Sequence, residues 1–388
     1  MLNSAKRVET IELSLIRKMF EVTNPDAINL GIGEPDFDVP ENIKTAMKEA
    51  IDDGYTKYTS NKGLIELREA IVDKLAKDNN IKTDAENIIV TSGASEALYD
   101  CAQALFEKGD NVLVPNPGFL SYSACIQLAE ANVVEVSTPM ENEFKMKVED
   151  VQEKIDKNTK GLIINSPSNP TGAVMDKEDI KGIADLATDH DFYIISDEIY
   201  EKIIYGTKNH SPAEYSANVI TINGFSKSYA MTGLRVGYMV ANENITENLL
   251  KVHQYCTANA SSVSQVGAIE ALTGPQDSVE MMVSEFSKRR DLIVSSLNDM
   301  GYETVDCKGA FYVFPKVERP MEFVKAAAEA GVISVPGSPF GSIGEDHVRM
   351  SYANSYENIE KAMDILKDLD YWIFQLAFSI FLKVWLLF

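Results

Sequence analysis

From Asn87 to Ile222 the chain alternates short, unbroken apolar runs with amphipathic stretches, and this alternation limits the accessible folds more than any other feature. Runs at Asn87–Thr91, Asn111–Val114, Gly161–Ile164, Phe192–Ile195 and Asn218–Ile222 read as strands. Helical patterns stand between them, at Ser95–Phe106 (stopped by Lys108-Gly109-Asp110) and Asp176–Asp189. Strands that are apolar on both faces need cover on both faces, so an α/β fold with a mostly parallel sheet flanked by helices is expected. A second unit is expected after Gly274-Pro275. There a charged helical pattern (Ser278–Met300) precedes strand-like pieces at Gly309–Phe314 and His347–Ser351, with helices at Glu322–Ala330 and Glu357–Leu369. That mixture reads as a smaller α+β domain.

With 388 residues and 45% hydrophobic content, the chain can bury a core in two lobes. Its 36 basic residues stand against 59 acidic ones, a net charge of −23. Such a surface repels phosphate backbones, so nucleic acid is not an expected partner. A small anionic substrate would need basic residues gathered locally. Cys101, Cys125, Cys256 and Cys307 form no CxxC pair, and His190, His210, His253 and His347 form no metal-ligand pattern. The histidines read as structural or surface residues, no metal is expected, and a reducing cytoplasm is the expected setting. Met1–Glu9 is polar and shows no apolar signal region. The tail, Tyr371–Phe388, departs from this composition: it has no acid, glycine or proline and carries both tryptophans. Gln375, Ser379 and Lys383 draw a polar stripe along it. It reads as a helix lying on the body or on another subunit, as a membrane contact, or as a terminus foreign to the fold.

Four segments at strand ends carry chemistry. Gly224-Phe225-Ser226-Lys227 follows one strand, with Arg235 eight residues after the lysine. A desolvated lysine there is a competent amine for Schiff-base formation, and Arg235 and Ser226 suit phosphate oxygens. Ser196-Asp197-Glu198-Ile199-Tyr200 ends another strand; Asp197 can keep a pyridinium nitrogen protonated, and Tyr200 can bond a phenolic oxygen. Asn165 to Gly172 (NSPSNPTG) makes a stiff turn that aims the Asn169 amide. Ser92-Gly93-Ala94-Ser95 opens a helix, where bare backbone N–H groups favour an anion. Each segment alone also fits a structural reading: a surface lysine, a helix cap, a well-made loop. Together they supply what binding and activating pyridoxal phosphate requires.

The combination of SPSNPTG, SDEIY and GFSKSYAMTGLRVGY resembles the class I/II aminotransferases, the fold type I pyridoxal-phosphate enzymes, over about Ile28 to Leu369. LGIGEPDF (from Leu30) and Gly309-Ala310-Phe311-Tyr312 are most similar to archaeal aspartate and aromatic aminotransferases. The resemblance implies a seven-stranded sheet. It implies a strap with part of the small domain at 1–35, a large cofactor domain at 36–276, a small domain at 277–369 and an atypical tail at 370–388. It implies Lys227 as the Schiff-base lysine and proton shuttle, Asp197 as partner of the ring nitrogen, and Asn169 and Tyr200 as ligands of the ring oxygen. Phe119 is implied to stack on the ring. Gly93, Ala94, Ser95, Ser226 and Arg235 are implied around the phosphate, with Tyr58 reaching it from the other subunit of a homodimer. Gly33, Asn169 and Arg349 are implied to meet the substrate, Arg349 by clamping its α-carboxylate.

The implied reaction is transamination between an L-amino acid, aspartate first, and a 2-oxo acid such as 2-oxoglutarate. Aromatic amino acids and alanine are alternative donors, and a carbon–sulfur β-lyase is an alternative reaction. A ligand-sensing module of a transcription regulator would need a DNA-binding segment that Met1–Ile28 is too short to hold. Two departures stand out. Leu234 replaces a tryptophan usual before the arginine, and Ser95 stands where some aspartate-specific relatives have lysine. Arg17 is a candidate ligand for a distal carboxylate.

Overall fold

The computed structural model describes residues 4–9, 11 and 26–369. Arg17 and the 371–388 tail lie outside the described residues, as does much of the 1–35 strap. A first short strand, β1 (Ile28–Asn29), precedes a large sheet of seven strands. These are β2 (Ile88–Thr91), β3 (Asn111–Asn116), β4 (Asn132–Ser137), β5 (Thr159–Asn165), β6 (Tyr193–Asp197), β7 (Val219–Gly224) and β8 (Gly237–Val240), in the spatial order β2-β8-β7-β6-β5-β3-β4. All neighbours run parallel except β8, which is antiparallel to both β2 and β7.

Residue alternation divides the sheet into two packed faces. Ile163 and Ile195 point to the side covered by helices Ala94–Leu105 and Glu243–Cys256, through Leu98, Cys101 and Leu249. Leu162, Ile164 and Ile194 point to the other side, against Ile180, Ile183 and Ala187 of helix Lys177–Asp189. Every residue of β2 and β7 is buried, as strands covered on both faces must be. Two strands of this sheet were not anticipated. β4 lies at the sheet edge with Asn132, Glu135 and Ser137 exposed, so it lacks an unbroken apolar run. β8 is four residues long and sits inside a segment read for its arginine.

The smaller α+β part draws on segments before and after the large sheet. β1 pairs in parallel with β10 (Val332–Ile333), while β12 (Val348–Ser351) pairs antiparallel with β9 (Tyr312–Val313) and β11 (Val335–Pro336). Helices Asp277–Asp299 and Pro320–Glu329 and a helical stretch over 356–369 accompany them. The strand expected over Gly309–Phe314 shrinks to Tyr312–Val313. Ala310 adopts a left-handed φ of 54°, and its N–H donates to the Ile203 carbonyl at 2.9 Å, which bends the segment toward the large sheet.

Candidate active site

The carboxyl ends of β2, β5, β6 and β7 meet at one edge of the sheet, and a cavity of about 420 Å³ opens there. In open α/β sheets this edge is where ligands sit. Because β8 runs against its neighbours, its first residue stands at the same edge, and Arg235, two residues earlier, faces the cavity too. Lys227, Asp197, Tyr200, Asn169, Phe119 and Arg349 line it. So do Gly33, Ala94, Ser95 and Ser226. Gly93 abuts it through Arg235. Tyr58 is the exception: it is 89% exposed and lies away from this cavity within the chain.

The Lys227 Nζ donates to the Gly33 carbonyl at 2.6 Å. Burial is the main influence on this amine and lowers its pKa from 10.5 to about 8; Glu34 opposes the shift, and Arg349 and Arg235 add to it. Burial raises the Asp197 carboxyl, while the Tyr122 hydroxyl donates to its Oδ2 at 2.8 Å and counteracts that rise. The Ile199 N–H adds a second bond to Oδ1 at 3.3 Å. Among the described residues no cation is hydrogen-bonded to this carboxylate, so it faces the cavity with its charge uncompensated at contact distance.

Asn165 ties two strand ends together. Its Oδ1 accepts the Asn169 N–H at 2.8 Å, and its Nδ2 donates to the Asp197 carbonyl at 3.0 Å. Asn169 in turn accepts from Arg349 Nη1 at 3.1 Å. Arg349 Nη2 donates to the Gly31 carbonyl at 2.6 Å, and its Nε has no hydrogen-bond partner although the residue is only 3% exposed. The guanidinium lies between Tyr312 and Phe340, 4.7 and 5.0 Å from their ring centres. The Tyr200 and Tyr312 hydroxyls are 2.9 Å apart. Burial pushes the Tyr200 phenol well above its ordinary pKa, so it remains a neutral donor.

Tyr122 and Tyr312 were not singled out from the sequence. Tyr122 lies one helical turn after Phe119, packed edge-on against it at 5.7 Å, and that spacing is a usable signal. Tyr312 had been noted within a motif, but without a role.

The backbone at the head of helix Ala94–Leu105 is shaped for close approach. Gly93 has a φ of 83°, and a Cβ there would come within 2.6 Å of Arg235 Nη2. A Cβ on Gly237 would fall 2.8 Å from the Ala94 nitrogen. Bare N–H groups at a helix start beside a guanidinium suit a phosphate. A half-buried lysine, a carboxylate with no cation hydrogen-bonded to it among the described residues, and this cradle together fit pyridoxal phosphate. The cavity lining also carries three basic side chains, Lys227, Arg235 and Arg349, against the carboxylate of Asp197. That gathers positive charge where an acidic protein needs it.

A lysine, a carboxylate and bare helix N–H groups gathered at the carboxyl edge of an open, mostly parallel sheet fit a cofactor-dependent enzyme of the α/β class. The chain belongs to the aminotransferase class I and II family, whose profile matches residues 25–366. It is an aminotransferase, and the family depends on pyridoxal phosphate. It is 46% identical over 374 residues to the probable aspartate aminotransferase of Methanocaldococcus jannaschii, covering 94% of this chain and 99% of that one. It is 42% identical to aromatic-amino-acid aminotransferase 2 of Thermococcus litoralis, over 92% of this chain and 96% of that one. The solved aspartate aminotransferase of Thermus thermophilus with maleate superposes with a TM-score of 0.92 at 36% identity, covering 95% and 100% of the two chains.

One residue can be tested locally. A Cβ on Gly33 would overlap the Tyr312 hydroxyl. Gly33→Ala is expected to displace the Tyr312 ring and lower turnover by about three- to tenfold, the value of one hydrogen bond. Tyr312→Phe in the same background removes the obstructing oxygen together with its bond to Tyr200, so the double variant is expected to match Gly33→Ala rather than add a second loss. Steady-state kinetics of the single and double variants check this.

Proposed function

We propose that Lys227 holds pyridoxal phosphate and that the protein transfers the amino group of aspartate to 2-oxoglutarate, working as a homodimer in the cytoplasm. The observation that carries the cofactor placement is the convergence of Lys227, Asp197 and the Gly93–Arg235 cradle on one cavity. The bound cofactor supplies a sink for the electron pair left when the substrate's Cα loses its proton. In this reading Asp197 keeps the ring nitrogen protonated, held in place by Tyr122 and Ile199. Asn169 and Tyr200 bind the ring oxygen, and Phe119 covers the ring. Lys227 Nζ would take the proton from the substrate's Cα and hold it as a general acid–base. Arg349 takes the α-carboxylate with its fork, including the Nε that has no partner. Ala94, Ser95, Ser226 and Arg235 hold the phosphate, and the exposed Tyr58 would serve the partner's site.

Support for aspartate comes from the names of the relatives. Among the described lining residues the cations are Lys227, Arg235 and Arg349, all assigned above, and Ser95 stands where a lysine could meet a distal carboxylate. Phe119 and Tyr312 on the cavity wall favour aromatic donors as a second reading. A donor panel with 2-oxoglutarate decides between them. The aspartate reading expects the highest kcat/KM with aspartate; a kcat/KM for tyrosine or phenylalanine above that for aspartate would replace it with the second. Borohydride reduction of the loaded protein should leave a labelled peptide containing Lys227, and labelling elsewhere would defeat the cofactor placement.

A further inference from the structure

Behind the cradle, on the far side from the cavity, lies a buried group of charges with no place in the reaction described above. His253, near the end of helix Glu243–Cys256, is fully buried. Its Nδ1 lies 3.0 Å from Glu96 Oε1 and 3.6 Å from Asp100 Oδ2. Its Nε2 lies 2.9 Å from the Asn61 carbonyl oxygen. A backbone carbonyl only accepts hydrogen bonds, so Nε2 must carry a proton. Glu96 accepts from the Ser92 N–H and the Thr257 hydroxyl, and its hydrogen bonds hold its pKa below the ordinary value against burial, so it is a carboxylate, which only accepts, and Nδ1 carries a proton too. Asp100 is fully buried and neither of its oxygens has a hydrogen-bond partner; burial raises its pKa, and the imidazole 3.6 Å away opposes that rise.

Glu96 is the third residue of helix Ala94–Leu105 and reaches back to accept the Ser92 N–H. The Thr257 hydroxyl donates to its Oε1 at 2.5 Å. Glu96 therefore fixes the first residue of the cradle turn. Its negative charge also sits at the helix N-terminus, where it would repel an incoming phosphate. A cation behind it removes that repulsion. The same cation bonds Asn61 in the loop that carries Tyr58.

We infer that His253 is a doubly protonated positioning residue: its imidazolium clamps Glu96 and Asp100, neutralises the base of the cradle and ties the Ser92–Ser95 turn to the Asn61 loop. The inference rests on the proposed placement of the cofactor phosphate at that turn. The groups facing the ring are Glu96 and Asp100 on helix Ala94–Leu105 and the Asn61 carbonyl. The Thr257 hydroxyl and the Cys256 thiol approach the two carboxylates from the ring's own helix end. Burial alone would lower the imidazole pKa, but the Asp100 and Glu96 carboxylates outweigh it and raise the value to about 9.

Two measurements test the inference. In protein labelled with 15N-histidine, the His253 ring should show both nitrogens protonated at about pH 7.5, one unit above the ordinary pKa of histidine. A neutral tautomer there would overturn the inference, and this experiment needs no variant. The second compares His253→Gln with the native protein by titrating cofactor-free samples with pyridoxal phosphate and with pyridoxal. The dissociation constant for pyridoxal phosphate should rise about tenfold or more, while that for pyridoxal changes less than about threefold, because the lost charge acts on the phosphate. Equal changes for both compounds, or none, would reduce His253 to an ordinary packing residue. A native protein that binds the two compounds equally would instead sink the placement of the phosphate itself.

Discussion

Lys227→Ala is expected to lower turnover by at least about 10³-fold, the scale of a lost general base whose amine also anchors the cofactor. The environment of this amine is unusual for a lysine. It bonds one carbonyl oxygen, on Gly33, and stands 5.9 and 5.8 Å from the ring centres of Tyr200 and Phe311. With its pKa brought down to about 8, roughly one molecule in ten carries the free amine at pH 7. For a lysine at its ordinary pKa that fraction is below about one in a thousand. Alanine removes the amine without opening the core, because the side chain borders the cavity. The variant should therefore fold, and its thermal midpoint should stay close to native. Multiple-turnover assays with matched unfolding curves check this, and a folded variant with near-native turnover would end the assignment.

Arg349→Lys should lower kcat/KM by about 10²–10³-fold for every amino donor tested, mostly through KM. The native guanidinium is held by Asn169 and Gly31 and lies 4.7 and 5.0 Å from the ring centres of Tyr312 and Phe340, which restricts its fork. An ammonium can neither stack between two rings nor bond a carboxylate with two parallel N–H groups. The α-carboxylate is common to all amino acids, so acidic, aromatic and small donors should lose alike. A loss confined to acidic donors would reassign Arg349 to the distal carboxylate. The donor panel with the variant separates these outcomes.

Much of this site was legible because it is built at strand ends. A strand buried on both faces announces itself as an apolar run, and polar residues just beyond it stand out. Lys227, Asp197 and Asn169 were all found in this way. Tyr122 escaped because it sits inside a helix, where an aromatic reads as packing, and its bond to Asp197 joins residues 75 positions apart. The part played by Tyr312 depends on Gly33 and Tyr200, which come from distant parts of the chain and meet only in the folded protein. The edge strand β4 escaped for a different reason: half-exposed strands mix polar and apolar residues, and their pairing is set by the neighbour rather than by their own pattern. His253 read only as a structural or surface residue because the acceptors around its ring, Glu96 and the Asn61 carbonyl, lie on other elements.

The reversed strand β8 has a consequence for how this enzyme can change. The excursion from Gly224 to Gly237 leaves the sheet and returns to the same edge, carrying Lys227 out and bringing Arg235 back. The amine and the cavity-facing guanidinium thus hang on a single covalent tether with both ends pinned in adjacent strands. Each inserted residue would add up to about 3.5 Å of slack between them, more than the length of a hydrogen bond. Diversification of this scaffold is therefore confined to side-chain replacement within the tether, and length variation has to occur elsewhere on the rim.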